Sequence, residues 1–138
     1  MILIAVFFIF LDRYLKYLAI DREYARLLGD ILKFNFAANP NIAFSLPLGG
    51  SLLNFIIMAA IVSLGYFFYY CVKKEAFYEA MSVVFIILGA ISNLADRAAY
   101  GFVIDYFDLK YFTVFNLADM MIVGGTAWLL FLSLEIKK

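Results

Sequence analysis

The chain has 138 residues, 67% of them apolar and only 16% charged, whereas a soluble domain is about half apolar and about a quarter charged. Eleven basic and eleven acidic side chains cancel to a net charge of zero, which offers no basic footprint for nucleic acid, and one cysteine, Cys71, excludes an internal disulfide. Histidine is absent, so Ser–His and Cys–His nucleophile pairs and the HExxH zinc site are excluded, and a lone cysteine among carboxylates is a poor zinc set.

A chain this short supports one domain. Helices apolar on every side need either a large core or lipid around them, and no large core is available here. The first apolar segment, about 1–20, runs unbroken from Met1 to Leu11 before Asp12, Arg13 and Lys16 interrupt it. It lacks the basic start and the small-residue cleavage site of a removable signal, so it is expected to be a retained helix of about 30 Å. Within the stretch 21–50, Leu32-Lys33-Phe34-Asn35-Phe36 alternates apolar and polar residues, which is a strand period. A second segment covers 51–72, a tight turn follows at Lys73-Lys74-Glu75, and a third segment covers 77–95. The stretch 96–118 supplies Tyr100, Phe102, Tyr106, Phe107, Tyr111, Phe112 and Phe115, aromatics suited to a membrane–water interface. The fourth segment, 119–136, carries the small-residue cluster Gly124-Gly125-Thr126-Ala127, which lets a neighbouring helix come close.

The fold class that follows is an all-α membrane protein. It has four transmembrane helices, with a small β-like amphipathic segment and loops gathered on one face. The short turn at 73–75 forces both long connections, 21–50 and 96–118, onto that same side. Charge gives a weak orientation: the positive-inside rule puts Lys73, Lys74, Lys137 and Lys138 in the cytoplasm, but Arg22, Arg26, Lys33 and Lys110, with Arg13, Lys16 and Arg97, weigh on the long-loop side.

Ionisable groups within apolar segments are costly and usually have a function or a specific partner. Asp12 and Lys16 stand four apart on one helix face, where they form an intrahelical ion pair or meet a substrate. Asp96 and Arg97 either close the third helix and hold a loop or belong to a site. Asp119 is most simply a cap or first-turn carboxylate of the fourth helix, and Asn116 can do similar work. Asp105 resists such a reading, because it lies in the apolar run Phe102-Val103-Ile104-Asp105-Tyr106-Phe107 and needs a partner there.

With histidine gone, hydrolysis is left to a Ser–Lys pair or to two aspartates that activate water. Two close carboxylates share one proton, so that the ionised one takes a proton from water and the protonated one polarises the carbonyl. The dipole of the fourth helix favours the ionised form at Asp119 and leaves Asp105 as the acid.

Five short segments, in order, resemble the lipoprotein signal peptidase (signal peptidase II) family. Asp12-Arg13-Tyr14-Leu15-Lys16 resembles its D-x-x-x-K, and Asn39-Pro40-Asn41-Ile42-Ala43-Phe44-Ser45 its N-x-G-x-A-F. Gly89-Ala90-Ile91-Ser92-Asn93-Leu94-Ala95-Asp96-Arg97 resembles G-A-x-G-N-x-x-D-R. Val103-Ile104-Asp105-Tyr106 resembles V-V-D-F, and Phe115-Asn116-Leu117-Ala118-Asp119 resembles F-N-x-A-D. The resemblance implies that Asp105 and Asp119 are the catalytic pair, with Asn39, Asn93, Arg97 and Asn116 as polar residues around it and Asp12 and Lys16 as supports. It further implies a prolipoprotein substrate with a diacylglyceryl cysteine, cleavage before that cysteine, and no metal or organic cofactor. It also implies inhibition by globomycin, membrane lipid as a partner, both termini in the cytoplasm and the site toward the outer face of the bacterial cytoplasmic (inner) membrane. A monomer is expected.

Three positions depart from the family pattern: Asn41 and Ser92 replace glycines, which puts backbone turns in question, and Met120 replaces a common serine. The chain also opens on the first helix itself, where the family usually has a short basic leader. Competing readings are a small dimeric four-helix transporter coupled to protons through Asp12, a non-catalytic membrane assembly factor, and a Ser–Lys peptidase built on Lys16 and Ser45.

Overall fold

The structure is a computed structural model that describes residues 2–21, 24–40 and 50–135. Asn41, the 42–45 segment with Ser45, and Arg22, Lys137 and Lys138 lie outside the described residues. Four helices carry most of it: α1 (Ile2–Ile20), α2 (Gly50–Lys73), α3 (Phe77–Tyr100) and α4 (Leu117–Glu135).

Helices α2, α3 and α4 are each long and apolar enough to cross a membrane. Helix α1 matches α4 in length, at 19 residues, but contains Asp12, Arg13 and Lys16. Its buried stripe is Ala5, Asp12, Lys16 and Ala19, a spacing that keeps all four on one helical face. Leu3, Phe7, Phe10, Tyr14 and Tyr17 follow the same rhythm on the outward face and are exposed. The Asp12 and Lys16 side chains of α1 therefore point into the protein, flanked by Phe8, Leu11, Leu15 and Leu18 packed against the core, while the outward stripe is apolar and aromatic.

Helix α3 is the hub, packing on α4, α2 and α1. Two glycines let α3 and α4 approach. A Cβ on Gly89 would lie 2.5 Å from the Ala118 carbonyl oxygen, and one on Gly125 would lie 2.8 Å from the Ser82 carbonyl oxygen. Gly124, in the same cluster as Gly125, faces open space. Helix α3 continues past the expected end at residue 95 to Tyr100 and stops at Gly101, whose φ of 81° is the left-handed conformation that ends helices. Asp96 and Arg97 thus sit on the last turns of the helix and do not end it, but Asp96 Oδ2 accepts from Ile104 N at 3.3 Å and so holds the following strand, as one reading of that pair expected.

The expectation of an all-α chain with a small β-like segment and loops on one face holds for the helical part, but the β part is larger than expected. Strands β1 (Ala25–Leu28), β2 (Leu32–Asn39), β3 (Val103–Leu109) and β4 (Val114–Phe115) form one antiparallel sheet in the order β1-β2-β3-β4. The strand-like period at 32–36 is real and extends to Asn39. The stretch 96–118, read as a loop, instead supplies the end of α3, strands β3 and β4, and the start of α4. Strand β3 hid because Val103, Ile104, Asp105 and Tyr106 are all buried, so no apolar–polar alternation marks them. Ala19, Phe34, Ile104, Tyr106 and Leu117 form the core that joins α1, the sheet and the start of α4. Tyr106 belongs to that core and is fully buried, so it is not the interfacial aromatic its sequence context suggests; Tyr100, Tyr111 and Phe112 are exposed.

Candidate active site

The first turn of α4 presents backbone N–H groups that have no partner within the helix, and each finds one. Asn116 is the cap: its Oδ1 accepts from Asp119 N at 2.8 Å, while Asp119 Oδ2 accepts from Asn116 N at 3.2 Å. This reciprocal pair is a capping box with Asp119 in the first turn. The capping expected of Asp119 is thus present, yet it occupies only one carboxylate oxygen. The other, Oδ1, accepts from Asn93 Nδ2 of α3 at 2.8 Å.

Asp105 lies on β3 with 1% of its surface exposed. Its Oδ1 accepts from Asn116 Nδ2 at 2.6 Å and its Oδ2 from Asn39 Nδ2 at 2.9 Å. Asn39 ends β2 opposite Val103, and Ala37 is opposite Asp105, so the Asn39 side chain reaches Asp105 diagonally across the ladder. Asn116 therefore touches both aspartates, Asp105 through its side-chain amide and Asp119 through its backbone and its carbonyl oxygen. Burial, and then the negative charge of Asp119, push the Asp105 carboxyl up to about 6 from 3.8.

Lys16 and Asn116, whose Nδ2 donates to Asn93 Oδ1 at 3.2 Å, together decide how Asn93 faces. The Lys16 ammonium has donors only, and it lies 3.0 Å from Asn93 Oδ1, which turns the amide nitrogen toward Asp119. Lys16 is fully buried and is paired with Asp12 at 3.0 Å and with Asp96 at 2.7 Å. Arg13 completes the cluster at 2.6 Å from Asp96 Oδ1. The i,i+4 pair read from sequence is present, but its other half comes from α3, about 80 residues away in the chain, where no local pattern could announce it.

Ser92 was the sequence departure that put a turn in question. It lies inside α3, where no turn exists, and its hydroxyl donates to Asp12 Oδ2 at 2.6 Å. Tyr106 is a further site residue that sequence reasoning missed: its hydroxyl donates to Asp12 Oδ1 at 2.9 Å and accepts from Leu117 N at 2.9 Å. Burial, followed by the Asp12 charge, holds that phenol neutral far above its ordinary range.

A groove of about 760 Å³ opens beside the cluster. Asn39, Asn93, Arg97 and Asp119 line its polar part, and Ile56, Ile57, Ala60, Ile122 and Val123 are among the apolar side chains that line the rest. Asp119 is half-buried at the groove wall, while Asp105 stays behind Asn39 and Asn116. Arg97 brings positive charge to the same wall, and its Nη1 lies 3.5 Å from the Asn93 carbonyl oxygen. Among the described residues, no group of three or more His, Cys, Asp or Glu side chains is arranged to hold a metal ion. All eight residues singled out from sequence meet in this region. What the arrangement offers chemically is two carboxylates of unequal burial, linked by one asparagine, beside an apolar groove.

The chain matches the signal peptidase (SPase) II family model over residues 4–135. A lipoprotein signal peptidase of Syntrophomonas wolfei is 42% identical over 115 residues, which covers 83% of this chain and 76% of the relative. One from Caldicellulosiruptor bescii is 41% identical over 109 residues, covering 79% and 71% respectively. A solved structure of a bacterial membrane enzyme superposes with a TM-score of 0.84 at 22% identity, over 99% of this chain and 88% of that one, and so shares the fold. On the family match and these relatives together, the chain belongs to the signal peptidase II family.

Proposed function

We propose that the protein is an aspartic endopeptidase that removes signal peptides from diacylglyceryl-modified prolipoproteins, cutting just before the lipidated cysteine. The observation that carries this reading is Asn116, whose side chain holds Asp105 while its backbone holds Asp119 at the edge of an apolar groove. An ionised Asp119 takes a proton from water as the water oxygen bonds to the scissile carbonyl carbon. A protonated Asp105 gives its proton to the carbonyl oxygen. The tetrahedral intermediate then collapses: the C–N bond breaks, the leaving amine receives the proton held by Asp119, and the carbonyl re-forms as Asp105 recovers its own. The raised affinity of buried Asp105 for its proton fits the acid role, and the α4 dipole fits an ionised Asp119. The groove's apolar length suits a signal peptide and the acyl chains of the substrate.

In this reading α1 is a fourth membrane span, because Asp12 and Lys16 are buried against α3, Arg13 is paired with Asp96, and its lipid-facing stripe is apolar and aromatic. The sheet and the aspartates lie at one end of the helices, and the turn between α2 and α3 lies at the other. The exposed Tyr111, Phe112, Leu28 and Ile31 of the sheet and its loops suit a headgroup layer at the outer face of the bacterial cytoplasmic membrane. Both termini are then cytoplasmic, as is the α2–α3 turn with Lys73 and Lys74. The cleft accommodates one substrate per monomer, and globomycin-type inhibitors compete for it.

The transport reading draws no support from Asp12, which is fully buried and filled by four donors. A Ser–Lys peptidase fares no better, because the Lys16 ammonium is held between the Asp12 and Asp96 carboxylates. The test is cleavage of a lipidated precursor by the purified protein in detergent, with the product's first residue read by mass spectrometry. A product beginning at the lipidated cysteine, and none from the unlipidated precursor, is the expected result. Equal cutting of both precursors would refute the substrate assignment.

A further inference from the structure

The Asp12 carboxylate is saturated, with two donors on each oxygen. Ser92 Oγ at 2.6 Å and Lys16 Nζ at 3.0 Å occupy Oδ2. Tyr106 Oη at 2.9 Å and Ala118 N at 3.1 Å occupy Oδ1. The Tyr106 hydroxyl also accepts from Leu117 N at 2.9 Å, so it stands between α1 and the first turn of α4. Tyr106 directly follows Asp105 in β3, and Leu117 and Ala118 directly precede Asp119 in α4. The two bonds on Oδ1 therefore fasten the chain beside each aspartate to one buried carboxylate.

We propose that Tyr106 is a positioning residue for the aspartate pair: its hydroxyl, aimed by Asp12 and Ser92, fixes the start of α4 against β3 and so sets the spacing of Asp105 and Asp119. This inference rests on the two-aspartate reading above. A phenylalanine at 106 keeps the ring and its packing on Phe34 and Phe107 but leaves the buried Leu117 N–H without its acceptor. The first turn of α4 is then free to shift by a fraction of an ångström. A structural role alone lowers stability, whereas a positioning role lowers turnover in the fraction that is folded.

The test measures kcat and KM of the full-length Tyr106→Phe, Ser92→Ala and Asp105→Asn proteins on a lipidated precursor, each normalised to its folded fraction. Misplacement of reacting groups costs up to about a hundred-fold, so Tyr106→Phe is expected to lower kcat about ten-fold with KM changed less than about two-fold, and Ser92→Ala to lower kcat less. A Tyr106→Phe protein with unchanged kcat per folded molecule overturns the proposal, whatever its melting temperature. If that variant does not fold, Ser92→Ala decides the matter: lowered kcat at constant KM supports the proposal and unchanged kcat overturns it. Cleavage retained by Asp105→Asn instead removes the two-aspartate reading, and this proposal with it.

Discussion

Lys16 Nζ lies 3.0 Å from Asn93 Oδ1, and that contact, with the bond from Asn116 Nδ2 to the same oxygen, turns the amide nitrogen of Asn93 toward Asp119. A buried ammonium on α1 thereby directs a hydrogen-bond donor at a carboxylate on α4, through a side chain on α3. The order of charges matters: the ammonium faces oxygen, the amide nitrogen faces the carboxylate, and no donor meets a donor.

Exchanging Asn93 for Asp tests this relay. Asn93→Asp keeps an oxygen for Lys16 but takes the donor from Asp119 and sets a second carboxylate beside it. The variant is expected to fold, because Lys16 still has a partner on α3. Its kcat/KM on a lipidated precursor is expected to fall at least about a hundred-fold, the usual scale for losing one donor aimed at a reacting group. Turnover close to that of the unmodified protein would show that the amide has no part in the chemistry.

The α3–α4 seam makes a paired prediction. Gly89→Ala drives a methyl group against the Ala118 carbonyl oxygen, next to Asp119, and neither backbone can yield without separating the helices. Overpacking of this kind costs about 1–3 kcal/mol, and here it also displaces the start of α4. Gly124→Ala meets nothing within 4 Å and is expected to leave thermal unfolding unchanged. Equal melting temperatures for the two variants would contradict the seam.

Stability should carry the signature of Asp105. Its proton is held up to about 6 in the folded state, against an ordinary 3.8, so the folded protein binds it more tightly than the unfolded chain does. The contribution is full below about pH 4 and is lost as pH rises through about 6, a swing of about 3 kcal/mol. Asp105→Asn removes this dependence. Unfolding followed from pH 4 to pH 8 is therefore expected to show the variant gaining on the parent by about that amount. Parallel curves for the two proteins would rule out a raised Asp105.

Part of the candidate site was legible in the sequence because its side chains are wrong for their surroundings, and the rest, Asn39, Asn93, Asn116 and Asp119 among it, only through the family resemblance. A carboxylate in Val-Ile-Asp-Tyr-Phe and an Asp–Lys pair within an apolar helix are costly unless partnered, and both proved to be partnered. The partners themselves were harder to read. Asp96 meets Lys16 and Arg13 across helices, and Ser92 looked like a disturbed turn because a glycine-like position says nothing of where a hydroxyl will point. Strand β3 was missed for the opposite reason: burial on both faces erased the alternation by which strands are found. Gly101 marked the true end of α3, yet the polar cluster at Asn93, Asp96 and Arg97 suggested an earlier stop, since charges near a helix end and charges paired inside a bundle look alike in one dimension.

The account turns on Asp105 and Asp119 acting together on water. The most direct measurement is cleavage of a lipidated precursor by separate Asp105→Asn and Asp119→Asn proteins, each first shown to be folded. Both are predicted to lose cleavage by at least about a thousand-fold, since an amide in place of either carboxyl can serve neither as the acid nor as the base. Substantial cleavage by either variant would contradict the account.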